Sequence, residues 1–338
     1  MHIDDLDTPA LIAEKPIFEA NLEIMSKALP GSRLRPHVKA HQSSFVAKAQ
    51  NKSGHYSFTC ATLKEAEGLI KAGLGKDLLL ANECVNINSL KHLQKLAEHF
   101  ESRVMLAVDS KETIEAAYQS GFKNVLIDVN VGLPRCGCLI EDSPKLSDLA
   151  NKKGLNVLGV MGYEGHAVGL LDKNERIKEV QKSMEILADA HSKVGGEIIS
   201  AGGTGTYDIN TLATEIQAGS YVFMDSQYQK LGLPFNQALF VLSTVISVSR
   251  QGWAVCDAGL KSLGMDHGNP EIADCEVWFC SDEHITFSSR SSDLKFKVND
   301  RIKVIPAHVD PTVAYHDRIY LVENEEVLDI WPIDLRGH

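Results

Sequence analysis

R-L-R-P-H-V-K-A-H, residues 33–41, carries a basic side chain at every second position from Arg33, with Pro36 set inside the series. Read as a strand, it turns His37, Lys39 and His41 to one face, because strand side chains alternate. A solvated edge strand would explain such a row, since positive charges discourage edge-to-edge pairing. A nucleophilic lysine would explain it too: neighbouring positive groups destabilise an ammonium and free the amine near neutral pH.

The rest of the chain supplies the context. Short apolar or β-branched runs follow at 56–60, 78–81, 103–108, 125–129, 156–162, 197–200 and 221–225, which with 33–39 makes eight expected strands. Between them lie segments of helical period. T-L-K-E-A-E-G-L-I-K-A-G (62–73) opens with a capping box from Thr62 to Glu65 and stops at Gly73. Residues 173–195 place Ile177, Val180, Met184 and Leu187 at helical spacing. Strict alternation with eight strands predicts an α/β fold of the parallel (β/α)8 type, and a doubly wound sheet satisfies the same periodicity.

After Pro234 the texture changes. Residues 238–250 are a long β-branched run, and strand-like pieces follow at about 284–289, 301–306, 318–323 and 326–331, separated by turn residues. The expected organisation is a barrel over 9–234 and a mostly antiparallel β domain over 235–338.

Bulk composition narrows the function. With 34 basic against 45 acidic residues the net charge is −11, and no basic tail or cluster tracks nucleic-acid phosphates, so nucleic acid and anionic membrane surfaces are not expected partners. Seven cysteines with no C-x-x-C point to reduced, buried thiols rather than a disulfide framework or a zinc ribbon. The acidic start M-H-I-D-D-L-D lacks the apolar core of a signal peptide, and no apolar run reaches the length of a membrane span. The expectation is a cytoplasmic enzyme.

Four stretches carry chemistry. S-A-G-G-T-G-T (200–206) follows the seventh expected strand, and Gly219-Ser220-Tyr221 opens the eighth. Glycines let backbone approach an anion, successive N–H groups and threonine hydroxyls bind phosphate, and barrels place phosphate sites in these two loops. Two ordinary glycine turns are the plainer reading. A phosphate cradle and a primed lysine together point to pyridoxal 5′-phosphate, whose aldehyde needs an amine. Arg135, in G-L-P-R-C-G-C after the fifth strand, is then the candidate partner for the ring nitrogen; otherwise it is a surface ion pair. G-Y-E-G-H (162–166) offers Tyr163 and His166 to flank a ring, with His166 as an acid or base near neutral pH or as a purely structural imidazole. In P-A-H-V-D-P-T (306–312), His308 and Asp310 are two apart and would share a strand face, an incomplete divalent-metal site whose carboxylate favours Mn²⁺ or Mg²⁺ over Zn²⁺.

In order along the chain, P-H-V-K-A-H, T-L-K-E-A-E, R-C-G, G-Y-E-G-H, G-G-T-G-T, Q-A-G-S-Y-V-F-M-D, D-A-G-L-K, S-D-E-H and A-H-V-D-P-T-V-A-Y-H-D resemble the D-threonine aldolase and D-serine dehydratase family. These are fold-type III pyridoxal phosphate enzymes built like alanine racemase. The resemblance implies a barrel followed by a β domain that the first few residues join, and a homodimer with active sites at the subunit interface. It implies that Lys39 carries the cofactor with His37 beside it, and that Gly203, Thr204, Gly205, Gly219, Ser220 and Tyr221 surround its phosphate. Arg135 and Tyr163 would touch the ring, and His308 with Asp310 would hold the metal.

Within the family, dehydratases acting on D-serine resemble H-x-C with zinc, whereas aldolases acting on D-threonine resemble H-x-D with manganese or magnesium. Asp310 therefore implies an aldolase of D-3-hydroxyamino acids, with His166 as a candidate base. Pro134 stands where many aldolases have glycine, and Ala167-Val168-Gly169 lacks a second histidine associated with their substrate pocket. Hydroxyaspartate-specific aldolases and dehydratases thus stay open. A non-catalytic pyridoxal phosphate-binding protein is the remote alternative, because such proteins resemble the barrel alone.

Overall fold

The computed structural model describes residues 1–291 and 296–337. The chain divides into two compact units, one of Met25–Lys39, Ala47–Gly219 and Leu335–His338, the other of Met1–Ile24, Ala40–Val46 and Ser220–Asp334.

The first unit is built on a parallel sheet. Ser57–Cys60, Asp77–Leu80, Val104–Val108, Asn124–Asp128, Asn156–Met161, Ile198–Ala201 and Glu215–Ile216 pair in chain order, each parallel to the next. Helices Leu63–Lys71, Ile87–His99, Lys111–Gln119, Ser143–Lys152 and Lys173–Val194 fill the first five crossovers. Val104–Val108 is buried at every position, as a strand covered on both faces must be. Leu79, Met105, Ala107, Leu126 and Met161 form a buried apolar cluster from four of these strands. The capping box forms as read, with Glu65 N–H on Thr62 Oγ1 at 3.2 Å and Thr62 N–H on Glu65 Oε2 at 3.4 Å. Gly73 sits at φ +77°, the left-handed geometry that ends such a helix.

Residues 33–39 are not the regular strand the alternation predicts. Gly31–Arg33 and Val38–Ala40 are 3₁₀ turns, and only Leu34–His37 between them is extended. That short piece nevertheless joins the two ends of the sheet. Arg35 N–H donates to Ile216 O at 2.9 Å, His37 N–H to Ala218 O at 3.3 Å, and Pro36 O accepts from Thr59 N–H at 2.9 Å. Pro36 has no N–H to offer a ladder, so the segment spans the gap with few bonds and closes the barrel without a row of its own.

The row of basic side chains breaks up accordingly. Arg35 is buried, with Nε on Glu215 Oε1 and Nη2 on Asp77 Oδ2, both at 2.8 Å. Lys39 stands exposed in the 3₁₀ turn, while His41 is buried and its Nδ1 accepts from Ser43 N–H at 3.2 Å. His37, Lys39 and His41 therefore do not share a strand face.

The eighth expected strand is also displaced. Residues 221–225 lie in a 3₁₀ turn, Ser220–Val222, followed by Met224 at φ +56° and a short helix, Ser226–Gln229. The last ladder position belongs to Glu215–Ile216.

The second unit is a sheet of mostly antiparallel strands. Leu239–Val248 pairs antiparallel with Ala10–Glu14, Ala254–Cys256 and Arg301–Ile305. Ala10–Glu14 also pairs with Arg318–Glu323, in parallel, and Arg318–Glu323 with Glu326–Pro332. Cys275–Cys280 and Ile285–Ser289 extend the other side. Two differences from the expected organisation follow: the units divide at Gly219/Ser220 rather than near 235, and Ala10–Glu14, expected within the barrel half, is a strand of this sheet.

Candidate active-site elements

In the barrel unit the glycine-rich loop leaves the strand Ile198–Ala201, as expected. Gly202 takes φ +82°, and the turn is tied by Gly203 N–H on Thr206 Oγ1 at 3.1 Å. A β-carbon on Gly203 would lie 3.4 Å from the Tyr163 ring, so the turn packs beside that ring. The loop is held from below by a residue that the sequence reading passed over. Glu164, fully buried in G-Y-E-G-H, accepts from Gly202 N–H at 3.1 Å, Thr206 Oγ1 at 2.9 Å and Asn210 Nδ2 at 3.3 Å. Its place between Tyr163 and the glycine was the available signal; its partners, 38 to 46 residues away, were not.

Arg135 lies over the Tyr163 ring, 5.5 Å from its centroid. His166 packs so closely on Gly132 (φ +129°) that a β-carbon there would come within 2.7 Å of the imidazole. Ser183 Oγ donates to Val131 O at 2.8 Å, so toward His166 Nε2, 3.5 Å away, it presents a lone pair. That assigns the proton to Nε2 and leaves Nδ1, buried and unpartnered, as an acceptor. The backbone N–H of Lys39 reaches His37 Nδ1 at 3.5 Å.

A group of acids and thiols at strand ends was also missed. Asp128 ends the strand Asn124–Asp128, and Asp109 follows Val104–Val108. Burial, then a hydrogen bond and the charge of Glu83, raise the Asp128 carboxyl well above the usual range. The Cys136 thiol is pushed up to about 11, first by its hydrogen bond to Glu83, and Cys138 to about 12 by burial and the charges of Asp128 and Asp109. Position at the carboxyl end of barrel strands was the signal that could have found the acids.

In the other unit, Ser220 Oγ donates to Asp310 Oδ1 at 3.1 Å. Tyr221 is buried, with its ring 5.7 Å from that of Phe235. His308 and Asp310 do not lie on a strand: His308 precedes the helix Val309–Ala314 and Asp310 is in its first turn. His308 Nδ1 meets Asp266 Oδ2 at 2.7 Å, and His267 stacks on the His308 ring at 4.0 Å. Among the described residues, Asp266, His267 and His308 bring ligand-type atoms within 4.8 Å of one another; Asp310 is not in that group. Asp225 is buried beside them, accepting from Gln227, Tyr228 and Val309 N–H groups at 3.2, 2.9 and 3.1 Å. Burial raises its carboxyl to about 6 against the opposing pull of these bonds.

Comparison with known proteins gives the family. Residues 16–227 match the family of alanine racemase N-terminal domains, and residues 238–322 match a putative serine dehydratase domain. A D-threonine aldolase of an Arthrobacter species is 31% identical, over 98% of this chain and 93% of its own length. The chain belongs to the D-threonine aldolase and D-serine dehydratase family of alanine racemase-like pyridoxal phosphate enzymes. Another relative, a 3-hydroxy-D-aspartate aldolase of Paracoccus denitrificans, is 30% identical over 100% of this chain and 94% of its length. The solved D-threonine aldolase of Filomicrobium marinum superposes with a TM-score of 0.92 at 31% identity, covering 99% of this chain and 96% of that one.

The residues of this family member fit the groups its family implies. A glycine turn carrying Thr204, a guanidinium over an aromatic ring, an exposed lysine and an orphaned imidazole nitrogen suit a phosphorylated aromatic aldehyde. An imidazole whose Nδ1 is already engaged presents Nε2 to a cation, and Asp310, two residues on, offers a hard oxygen donor. Among the described residues, no helix is long and apolar enough to cross a membrane.

Proposed function

We propose that this chain is a pyridoxal phosphate- and divalent-metal-dependent aldolase that cleaves D-3-hydroxyamino acids to glycine and an aldehyde, acting as a cytoplasmic homodimer. Full-length likeness to a D-threonine aldolase, in sequence and in fold, carries the reading. The Asp310 carboxylate, an oxygen donor two residues after His308, supports it and favours Mn²⁺ or Mg²⁺.

Lys39 would hold the cofactor through its amine, with His37 beside it. Gly203, Thr204, Gly205, Gly219, Ser220 and Tyr221 would surround the phosphate, and Glu164 keeps the first of these loops in shape. Arg135 would face the ring nitrogen as a donor and keep a proton off it. The bound cofactor supplies a sink for the electron pair left on Cα when Cα–Cβ breaks. A cation held by His308 and Asp310 would lower the pKa of the substrate β-hydroxyl. His166 Nδ1, an acceptor with no partner, would take that hydroxyl proton, and the proton count closes when Cα is reprotonated to give glycine.

The match of residues 238–322 to a putative serine dehydratase domain favours a second reading, loss of the β-hydroxyl to give a 2-oxo acid and ammonia. Incubation with D-threonine and with D-threo-3-hydroxyaspartate, with Mn²⁺ or with a chelator, separates the two. Glycine with acetaldehyde or glyoxylate, lost on chelation, is the expected result. A 2-oxo acid with ammonia would overturn the aldolase reading, and no product with either substrate would favour a binding protein.

A further inference from the structure

We propose that Asp266 is a positioning residue for His308: by accepting the Nδ1 proton it holds the imidazole with the Nε2 lone pair directed outward as the donor to a divalent cation. The inference rests on the metal reading of the preceding section.

The two residues are 42 apart in sequence, and their contact is built into the backbone on both sides. Gly264 and His308 form an antiparallel bridge, and Gly264 N–H donates to Thr312 Oγ1 at 3.0 Å. Thr312 Oγ1 in turn donates to His308 O at 2.7 Å, which pins the residue carrying the imidazole. Only glycine permits this approach: a β-carbon on Gly264 would come within 2.3 Å of Pro311 Cγ and 3.2 Å of Thr312 N. The loop is tied again at its far side, where Gln227 Nε2 donates to His267 O at 3.1 Å.

Within that frame the imidazole has little freedom. Asp266 Oδ2 lies 2.7 Å from Nδ1, and His267 lies parallel to the ring, 6° between planes and 4.0 Å between centroids. A carboxylate on one ring nitrogen places the proton there and raises the donor strength of the other. His267 would act as a stacking wall that fixes the ring plane. The distance itself argues against Asp266 as a ligand, since an oxygen at hydrogen-bond distance from Nδ1 is bonded to the ring, not converging with Nε2 on a third point.

The test is Mn²⁺ affinity, read by the electron paramagnetic resonance of free Mn²⁺ during titration of the cofactor-loaded protein, so that turnover is not required. Asp266 is 54% exposed, so its replacement leaves no buried charge unpaired. His308→Ala should abolish tight binding. Asp266→Ala should weaken it about 10- to 100-fold, the usual size of such an effect. Asp266→Asn, whose amide oxygen still accepts from Nδ1–H, should recover most of that loss. Unchanged affinity in Asp266→Ala with binding lost in His308→Ala would overturn the positioning role and leave the metal reading standing. Equal loss in Asp266→Asn and Asp266→Ala would overturn it in favour of Asp266 as a charged ligand. Full affinity in His308→Ala would remove the metal reading and the inference together.

Discussion

Replacing Glu164 by glutamine keeps the side chain's shape and removes one acceptor beneath the glycine-rich loop. The carboxylate serves three donors, Gly202 N–H, Thr206 Oγ1 and Asn210 Nδ2, at 3.1, 2.9 and 3.3 Å. An amide offers one oxygen and one NH₂, so either orientation sets an N–H against a donor in a fully buried place. One charge-assisted bond is lost, about 1.5–3 kcal/mol, and one buried donor is left unpaired, about 1–3 kcal/mol. Relaxation of the long Asn210 bond offsets part of this, so the loss should come to about 2–4 kcal/mol. Where the cofactor must reorder the loop as it binds, that loss appears as an affinity for pyridoxal phosphate weaker by about 30-fold or more, at 1.4 kcal/mol per tenfold. Spectrophotometric titration of cofactor-free protein measures it, and a thermal melt of the same sample records any share borne by the fold. An unchanged dissociation constant together with an unchanged melting midpoint would refute the assignment of Glu164 as the support of the loop.

Three further outcomes follow from the same geometry. Lys39→Ala should purify without the visible absorbance of bound cofactor, and a retained band would move the cofactor lysine elsewhere. Arg35→Met leaves the Glu215 and Asp77 carboxylates without their shared guanidinium, which should cost about 3–5 kcal/mol in denaturant unfolding; a loss under about 1 kcal/mol would mean that solvent reaches the pair. The raised Cys136 thiol keeps its proton to higher pH: at pH 9, where an ordinary thiol of pKa 9.0 is half ionised, one at about 11 is ~1% thiolate. Alkylation by iodoacetamide should therefore be slow at pH 9 and faster in Glu83→Gln, and an ordinary profile with its midpoint near 9 would refute the Glu83 contact.

Much of the fold was legible because it rests on local pattern. Six of the eight expected strands coincide with observed ones to within a residue or so, since a strand buried on both faces must be a continuous apolar run. The helix after Thr62 was readable from its cap, which satisfies orphan N–H groups within four residues. The two failures have a common cause. The pattern of 33–39 and 221–225 predicts ladder pairing, but pairing needs N–H groups able to join a ladder and a partner in register. Pro36 removes one donor from the first segment, and Met224, at φ +56°, bends the second out of line.

The site divides along the same line. The residue types suited to phosphate, an amine-reactive aldehyde and a metal are intrinsic chemistry and stand in contiguous motifs, so Lys39, the 200–206 loop, Arg135, Tyr163 and the H-x-D pair are proposed from the chain alone. Their supports could not. Glu164 reaches 38 to 46 residues onward to its donors, Asp266 reaches 42 residues to His308, and Ala10–Glu14 finds partners at 239–242 and 320–322. Those contacts have no local signature, because a buried carboxylate, a bonded imidazole or a paired strand is defined by what the folded chain brings to it. Local pattern in the chain sufficed for most of the elements and for the family; which acid holds which loop, which carboxylate meets which imidazole, and how the barrel closes depend on contacts that only the folded chain makes.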